Sequence, residues 1–417
     1  MLCCRVPVGV RRLADRFKDL FYGQSASYSN LCAMYCFFLF GCTSLSEFVR
    51  RCPWSHSVSD LSRAVCVFDS NRFMRRLRAS ILRHYDGSIT PENFCFAVDD
   101  TANPKYGKSI YRCGSWVSSS GPYIVQKILV VSLVDIHRGI ALPLGYVILP
   151  KRDDPEHVPA PKLAVRLLKD LLEQGLPKLP VVTDSWFDST DFMDELENIG
   201  LTFAGEIKSN RNVRPSSSPT VAWRKLPKIF SKLPRTRVAA RLKTGTASKG
   251  PKRTKHIAER WIYIRGRKRP IKTIAVYNRA NSTKAFAYYA TTDLAMAGEK
   301  LWQLSRARWR IECLFRDLKQ NLSFGCLPCG GEKAADLAVC IPFLIIVSLR
   351  LDGAARWNLS KDAAIGTMID QVREKELTRS IEIVTSRGGG PLRDRLLARR
   401  VLERINKKPV NRLAEAA

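Results

Sequence analysis

The stretch Ile124–Ile136, IVQKILVVSLVDI, constrains the fold more than any other part of the chain. Val, Ile and Leu dominate it, and such a β-branched run reads as a strand covered on both faces. Its surroundings supply neighbours for it. Phe94–Asp100 reads as a strand ending in two acids, and Ile110–Ser118 and Ile140–Leu149 are further extended stretches. After the polar, Pro-containing loop Lys151–His157, Leu163–Leu172 repeats apolar residues at helical spacing. Leu179–Thr183 is a short buried strand closed by Asp184, Phe192–Ile199 a helix, and Leu201–Ile207 another strand. Strands, helix, strand, helix, strand is the order of a mixed α/β domain.

The flanks differ in texture. Residues 10–90 read as helical and basic: Leu61, Val65, Phe68, Phe73, Met74, Leu77, Ile81 and Leu82 recur at helical spacing. Arg72, Arg75, Arg76, Arg78 and Arg83 crowd the same segment, either as a face laid on a DNA backbone or as a solvated helix face. Between Ser209 and Thr292, loops at Ser216–Ser218 and Thr244–Thr254 separate strands at Trp261–Arg265, Thr273–Tyr277 and Ala285–Ala290. Ala297–Phe324 then reads as a long helix and Ala334–Leu351 as a second, interrupted at Pro342. The tail from Asp362 is charged and mostly helical, with a flexible break at Gly388–Gly390. The expected organisation is a basic helical DNA-binding region at 1–90, a first part of the core at 91–208, and a β-rich insertion at 209–293. The rest of the core follows at 294–355, and a basic helical tail at 356–417.

Charge narrows the partner. The chain has 69 Lys and Arg against 38 Asp and Glu, a net charge of +31. An excess of this size points to a polyanion, because each phosphate neutralised releases counterions. The segment Met1–Phe17 carries Arg and Asp where the apolar part of a secretory leader would stand. The 13 cysteines are therefore expected as reduced thiols in a cytoplasmic, nucleoid-associated protein. Cys326 and Cys329 form a CxxC without a second pair, a weak zinc signal, and Cys32 and Cys36 read as core. Leu31–Cys42 and Leu337–Leu349 are each shorter than the roughly 20 residues that span a bilayer, so both are expected as buried helices and no membrane as a partner.

Hydrolysing a phosphodiester needs an activated water and a stabilised leaving oxygen, which two divalent ions about 3.5–4 Å apart provide together. Hard ions of this kind take carboxylate oxygens. Asp99, Asp100 and Asp184 stand at strand ends, where side chains converge at a sheet edge. A turn or helix cap is the alternative for each alone. At about 100° per residue, Ser305, Arg308, Glu312, Arg316 and Lys319 fall within about 40° of one direction. Leu304, Ile311, Phe315, Leu318 and Leu322 form the neighbouring stripe. That helix would carry a carboxylate between cations, anchored by a buried face. Asp153, Asp154, Glu156 and His157 read as a solvated turn, and Asp188 as support for the start of the next helix. His56, His84, His137 and His256 show no ligand spacing.

Arg308, Glu312 and Lys319 stand in the register of the Tyr-Arg-Glu-Lys signature, with Ser305 in place of the Tyr. Val98-Asp99-Asp100-Thr101, followed by Pro104-Lys105-Tyr106-Gly107-Lys108, is similar to the block around a first catalytic Asp, and Val182-Thr183-Asp184 to the block around a second. With the β-rich stretch between Asp184 and Glu312, the chain resembles the DDE transposases of bacterial insertion sequences, in their insertion-sequence-four-like branch. The resemblance implies a ribonuclease-H-like catalytic core with a β-rich insertion and helical flanks. It implies Asp100, Asp184 and Glu312 as catalytic residues and ligands of two Mg²⁺ ions, for which Mn²⁺ can substitute. The acid directly before the Thr is the matching one, which selects Asp100 over Asp99. Arg308 and Lys319 would contact phosphates beside the scissile bond. Trp309 matches a position near the terminal bases, with core packing as its alternative. Ser305 stands where the family's Tyr would handle those bases, without its stacking ring. Double-stranded DNA, as element ends and as target, is the implied partner of a homodimer acting on paired ends. The rivals are an inactive or domesticated relative that only binds DNA, a nuclease of the same fold without strand transfer, and a basic structural protein.

Overall fold

The computed structural model describes residues 28–51, 57–105, 109–118, 121–151, 154–239, 254–327, 329–360 and 363–386. The first 27 residues, His56, Tyr106-Gly107-Lys108, Asp153, Gly388–Gly390 and most of the loop before Thr254 lie outside them.

The described chain opens with helices α1 (Tyr28–Leu39), α2 (Leu45–Arg51), α3 (Val58–Cys66) and α4 (Ser70–Tyr85). From Leu31 to Leu39 every side chain of α1 is buried, Cys32 and Cys36 included, as core cysteines should be. The start of α4 is fixed by Asp69, whose carboxylate accepts a hydrogen bond from the Arg72 amide. Its end is fixed by Asp86, in the left-handed conformation at φ 38°. Asp69→Ala should therefore destabilise the fold by about 1 kcal/mol, within a range of about 0.5–2. A urea denaturation midpoint checks this, and an unchanged midpoint would contradict it.

The central sheet comprises β1 (Phe94–Pro104), β2 (Cys113–Ser118), β3 (Gly121–Asp135), β4 (Ile140–Ile148) and β5 (Val181–Val182). The apolar run seen in the sequence is β3, and it runs antiparallel to β1 from Phe94↔Asp135 to Pro104↔Val125. Its other edge is shared: β2 pairs with the first part and β4 with the second. On the far side of β1, β5 pairs in parallel, with Phe96 opposite Val181 and Ala97 opposite Val182. A parallel neighbour needs a crossover, and helix α5 (Ala160–Glu173) supplies it. Three antiparallel strands with a parallel one beyond β1 give the expected ribonuclease-H-like core. The strand expected from Ile110 starts only at Cys113. Tyr111 instead donates its amide to Cys329, and Arg112 turns the chain at φ 48°.

Beyond β5, a short 3₁₀ turn (Ser185–Phe187) and α6 (Thr190–Asn198) lead to β6 (Ala204–Glu206). Next come β7 (Asn212–Arg214), β8 (Arg224–Lys225), α7 (Leu226–Phe230) and β9 (Thr236–Ala239). Strands β10 (Thr254–Ile264), β11 (Ile271–Tyr277) and β12 (Ala287–Thr291) complete a second sheet, ordered β6-β12-β11-β10-β7-β8 with β9 also on β10. The two sheets meet where Phe203, just before β6, bridges in parallel to Val181 of β5.

Helix α8 (Gly298–Asn321) lies across this junction, packing on β1, β3, β5, β6, β11 and β12. Leu304, Ile311, Phe315 and Leu318 are buried along it, and Leu322 caps it, also buried. The anchoring stripe is thus the one its spacing predicts. Helix α9 (Glu332–Trp357) corrects the expectation of an interruption, for it continues through Pro342. Ile341 and Phe343 are fully buried on either side, so packing holds the helix where the proline removes one donor. It is also longer than its apolar run implied. By length and composition it would cross a bilayer, but 78% of its apolar stretch is buried inside the protein. Helix α10 (Ile365–Ser386) closes the described chain against α8 and α9.

Candidate functional site

The register that pairs Ala97 with Val182 carries Asp99 and Asp184 two residues further along adjacent parallel strands. β5 ends just before Asp184, whereas β1 does not end at the acids as expected but stays paired to β3 as far as Pro104, so Asp99 and Asp100 lie within the strand. Asp184 leaves β5 as the cap of the 3₁₀ turn, accepting a hydrogen bond from the Trp186 amide at 2.9 Å. Helix α8 brings the third group. Arg308 Nη2 lies 2.5 Å from Glu312 Oε1 and Arg308 Nη1 lies 3.6 Å from Asp99 Oδ2. One guanidinium thus ties the helix to the middle of β1. Asp100, on the opposite face by strand alternation, pairs with Lys127 of β3 at 3.1 Å.

Electrostatics follow from this crowding. Burial, and then the charge of Asp184, push the Asp99 carboxyl up to about 7 against the pull of Arg308. Asp184 is raised mainly by burial, with the Trp186 amide and Arg308 opposing and Asp100 adding to the rise. Burial also raises Glu206, the last residue of β6, which senses Arg308, Asp184 and Glu312. Arg308 is penalised by burial, yet Glu312 and Asp99 hold its pKa above the usual value. Lys319 is lowered by burial, partly offset by Asp100, and donates to the Ala102 carbonyl at 2.8 Å. The cluster is therefore five carboxylates, those of Asp99, Asp100, Asp184, Glu206 and Glu312, interleaved with Arg308, Lys127 and Lys319.

All the donors are carboxylate oxygens, the chemistry a hard divalent cation requires. Among the described residues no three acid, histidine or cysteine side chains are grouped so as to hold one metal ion. Arg308 engages Glu312 and Asp99, and Lys127 engages Asp100. The donor set fits such an ion by its chemistry, and the charges now satisfying it are those of amino groups and a guanidinium.

Aromatic surface surrounds the cluster. Trp186 is 59% exposed beside Asp184, and Trp309 is 48% exposed beside Arg308. Lys127 Nζ stands 4.2 Å from the Trp116 ring centre and 5.8 Å from that of Trp186. Ser305 is turned inward, buried, with its hydroxyl donating to the Trp302 carbonyl at 2.8 Å. Asp154 accepts from the Glu156 amide and His157 contacts the Lys151 carbonyl, as a turn would. Asp188 departs from expectation. Ser189 caps α6, while the buried Asp188 accepts from the Lys208 amide and from Arg211 at 2.7 Å. A carboxylate with two such donors is already satisfied.

Three participants escaped the sequence reading. Glu206 ends a strand just as Asp184 does, and the same rule would have found it. Lys127 is a lone cation inside an apolar strand, a signal by itself. The pairing of Asp99 with Arg308 crosses more than 200 positions and leaves no local trace.

A family model described as "DDE superfamily endonuclease" matches residues 42–281, more than half of the chain. The match ends before α8, so Glu312 lies outside it. No curated protein matches the chain. Among solved structures, it is similar to one titled "Cryo-EM structure of piggyBac transposase synaptic complex with hairpin DNA (SNHP)". The identity is 13% and the TM-score 0.47, over 99% of this chain and 83% of that one.

Proposed function

This chain belongs to the DDE superfamily endonucleases, and from that premise we propose that it is the transposase of an insertion sequence. In this reading it binds element-end DNA, cleaves a phosphodiester and joins the freed 3′-hydroxyl to target DNA, as a homodimer on paired ends. Its branch is the insertion-sequence-four-like one, on the register of Arg308, Glu312 and Lys319. The observation that carries the reading is the meeting of Asp99, Asp184 and Glu312 around Arg308, with Asp100 next to Asp99 and paired to Lys127.

Asp100, Asp184 and Glu312 would hold divalent metal, Mg²⁺ or Mn²⁺, which when bound supplies the positive charge that activates water and stabilises the leaving oxygen. The chain's own residues do the rest. Arg308 and Lys319 would bind phosphate oxygens beside the scissile bond, Arg308 on releasing Glu312 and Lys319 on releasing the Ala102 carbonyl. Trp186 and Trp309 present ring faces on which unpaired bases can stack. Ser305 is turned inward and bonds back to the Trp302 carbonyl of its own helix.

The test is an assay on duplex DNA carrying the flanks of the gene, with Mg²⁺ or Mn²⁺, comparing wild type with Asp184→Asn. Nicked and joined products from the wild type and neither from an equally well-bound variant are expected. Nicks without joining would reassign the chain to nucleases. Binding without nicking by the wild type in either metal would leave a DNA-binding protein only.

A further inference from the structure

Away from the carboxylates, at the outer edge of the central sheet, α4, β4, α5 and the start of α9 enclose a cavity of about 580 Å³. Four guanidinium groups line it, those of Arg75, Arg78, Arg112 and Arg166. The acids facing them are Asp170, Glu332 and Asp336.

Most of these charges are already engaged. Asp336 accepts hydrogen bonds from the hydroxyls of Ser70 at 2.6 Å and Tyr146 at 2.7 Å. Glu332 is hydrogen-bonded by the Tyr111 hydroxyl. Arg112 donates to the Ile148 carbonyl and to Glu156, both at 2.9 Å. What is left is Arg75, Arg78 and Arg166 against the single carboxylate of Asp170.

Arg78 is the telling member. It is only 8% exposed, and Nη1 donates to the Leu144 carbonyl at 3.0 Å. Its Nε is buried without any hydrogen-bond partner. Burial lowers its pKa, and neighbouring Arg75 lowers it further, while Asp170 opposes. Burying a guanidinium beside another cation is costly unless an anion completes the arrangement. Arg75 and Arg166 are exposed, with no hydrogen bond or ion pair to another described residue. A planar fork of donors is the group best matched to a phosphate.

We propose that this cavity binds a phosphate group, with Arg75 and Arg166 at its mouth and Arg78 in its wall. The phosphate is either a phosphodiester of bound DNA, which rests on the DNA reading above, or that of a free phosphorylated molecule, which does not. The site is separate from the carboxylate cluster, whose residues contribute nothing to its lining.

The test uses the full chain and the double variant Arg75→Gln/Arg166→Gln. Both residues are exposed, and circular dichroism and the melting temperature verify the fold. Inorganic phosphate is titrated at constant ionic strength, and duplex DNA affinity is measured across salt concentrations. Saturable phosphate binding by the wild type, weakened at least about tenfold in the variant, is expected from the loss of two charge-assisted contacts. A wild type that binds no phosphate, or a folded variant that binds it equally well, overturns the proposal. The DNA measurement then assigns the source. A slope of log affinity against log salt that falls by roughly 1.8 in the variant, about 0.9 for each of two lost contacts, assigns a DNA phosphate. An unchanged slope with lost phosphate binding assigns a free phosphorylated molecule. Asp184→Asn should retain phosphate binding, so failure of the nuclease reading would not be mistaken for failure of this one.

Discussion

Glu312→Gln is expected to lower metal-dependent nicking by more than about 100-fold while DNA binding persists. Groups that merely orient a metal ligand already cost about 10–100-fold when removed, so a ligand itself should cost more. Gln preserves the shape of Glu312 and its place on α8 but not its charge. The pair with Arg308 at 2.5 Å weakens, yet Arg308 keeps Asp99 as a partner. The buried stripe of Leu304, Ile311, Phe315 and Leu318 still seats the helix. Single-turnover nicking in Mg²⁺, with binding measured on the same DNA, separates chemistry from affinity. A variant within tenfold of the wild type would remove Glu312 from the reacting centre. The same assay on Asp99→Asn and Asp100→Asn identifies which of the adjacent acids serves chemistry and which serves to hold α8 in place.

Phe203→Ala is expected to destabilise the protein by about 3–5 kcal/mol. Phe203 is fully buried and meets Phe192 edge to face, with ring centres 6.4 Å apart. The space left cannot collapse easily. The backbone of Phe203 is tied to Val181 on one side and to Thr292 on the other. The strands it joins carry Asp184 and Glu206, so activity should fall below the wild type even at temperatures where the variant stays folded. Chemical denaturation gives the stability change. A loss under about 1 kcal/mol would show that the junction repacks without cost.

What could be read in advance depended on the range of the interaction. Periodicity is local, so β3, α8 with its buried stripe, and the strand closed by Asp184 were all legible. Register is also local once two strands are known to pair, which places Asp99 beside Asp184. Contacts set by tertiary packing were not legible. Tyr111 pairs with Cys329 rather than extending β2, because a distant loop supplies its acceptor. Pro342 stays helical because its neighbours are buried. Asp188 abandons the helix start because Lys208 and Arg211 approach it from beyond α6. Ser305 lies on the same helical face as Glu312 by angle, yet its short side chain bonds back to the helix.

Strand β3 has a consequence for how this chain can change. Along one edge it is paired to β1 over eleven consecutive positions, and along the other it serves β2 and β4 in turn. It works as a ruler against which three other strands are measured. A single inserted residue would set every later side chain on the opposite face. Lys127 would leave Asp100, and the residues now inside the core would turn toward solvent in the same event. Its pairing with β1 is uninterrupted, and the single irregularity, between Val131 and Ser132, is confined to its pairing with β4. Tolerance for added length must therefore lie in the turns between strands, such as the one closed by Arg279 and Ser282, where one extra residue shifts no register.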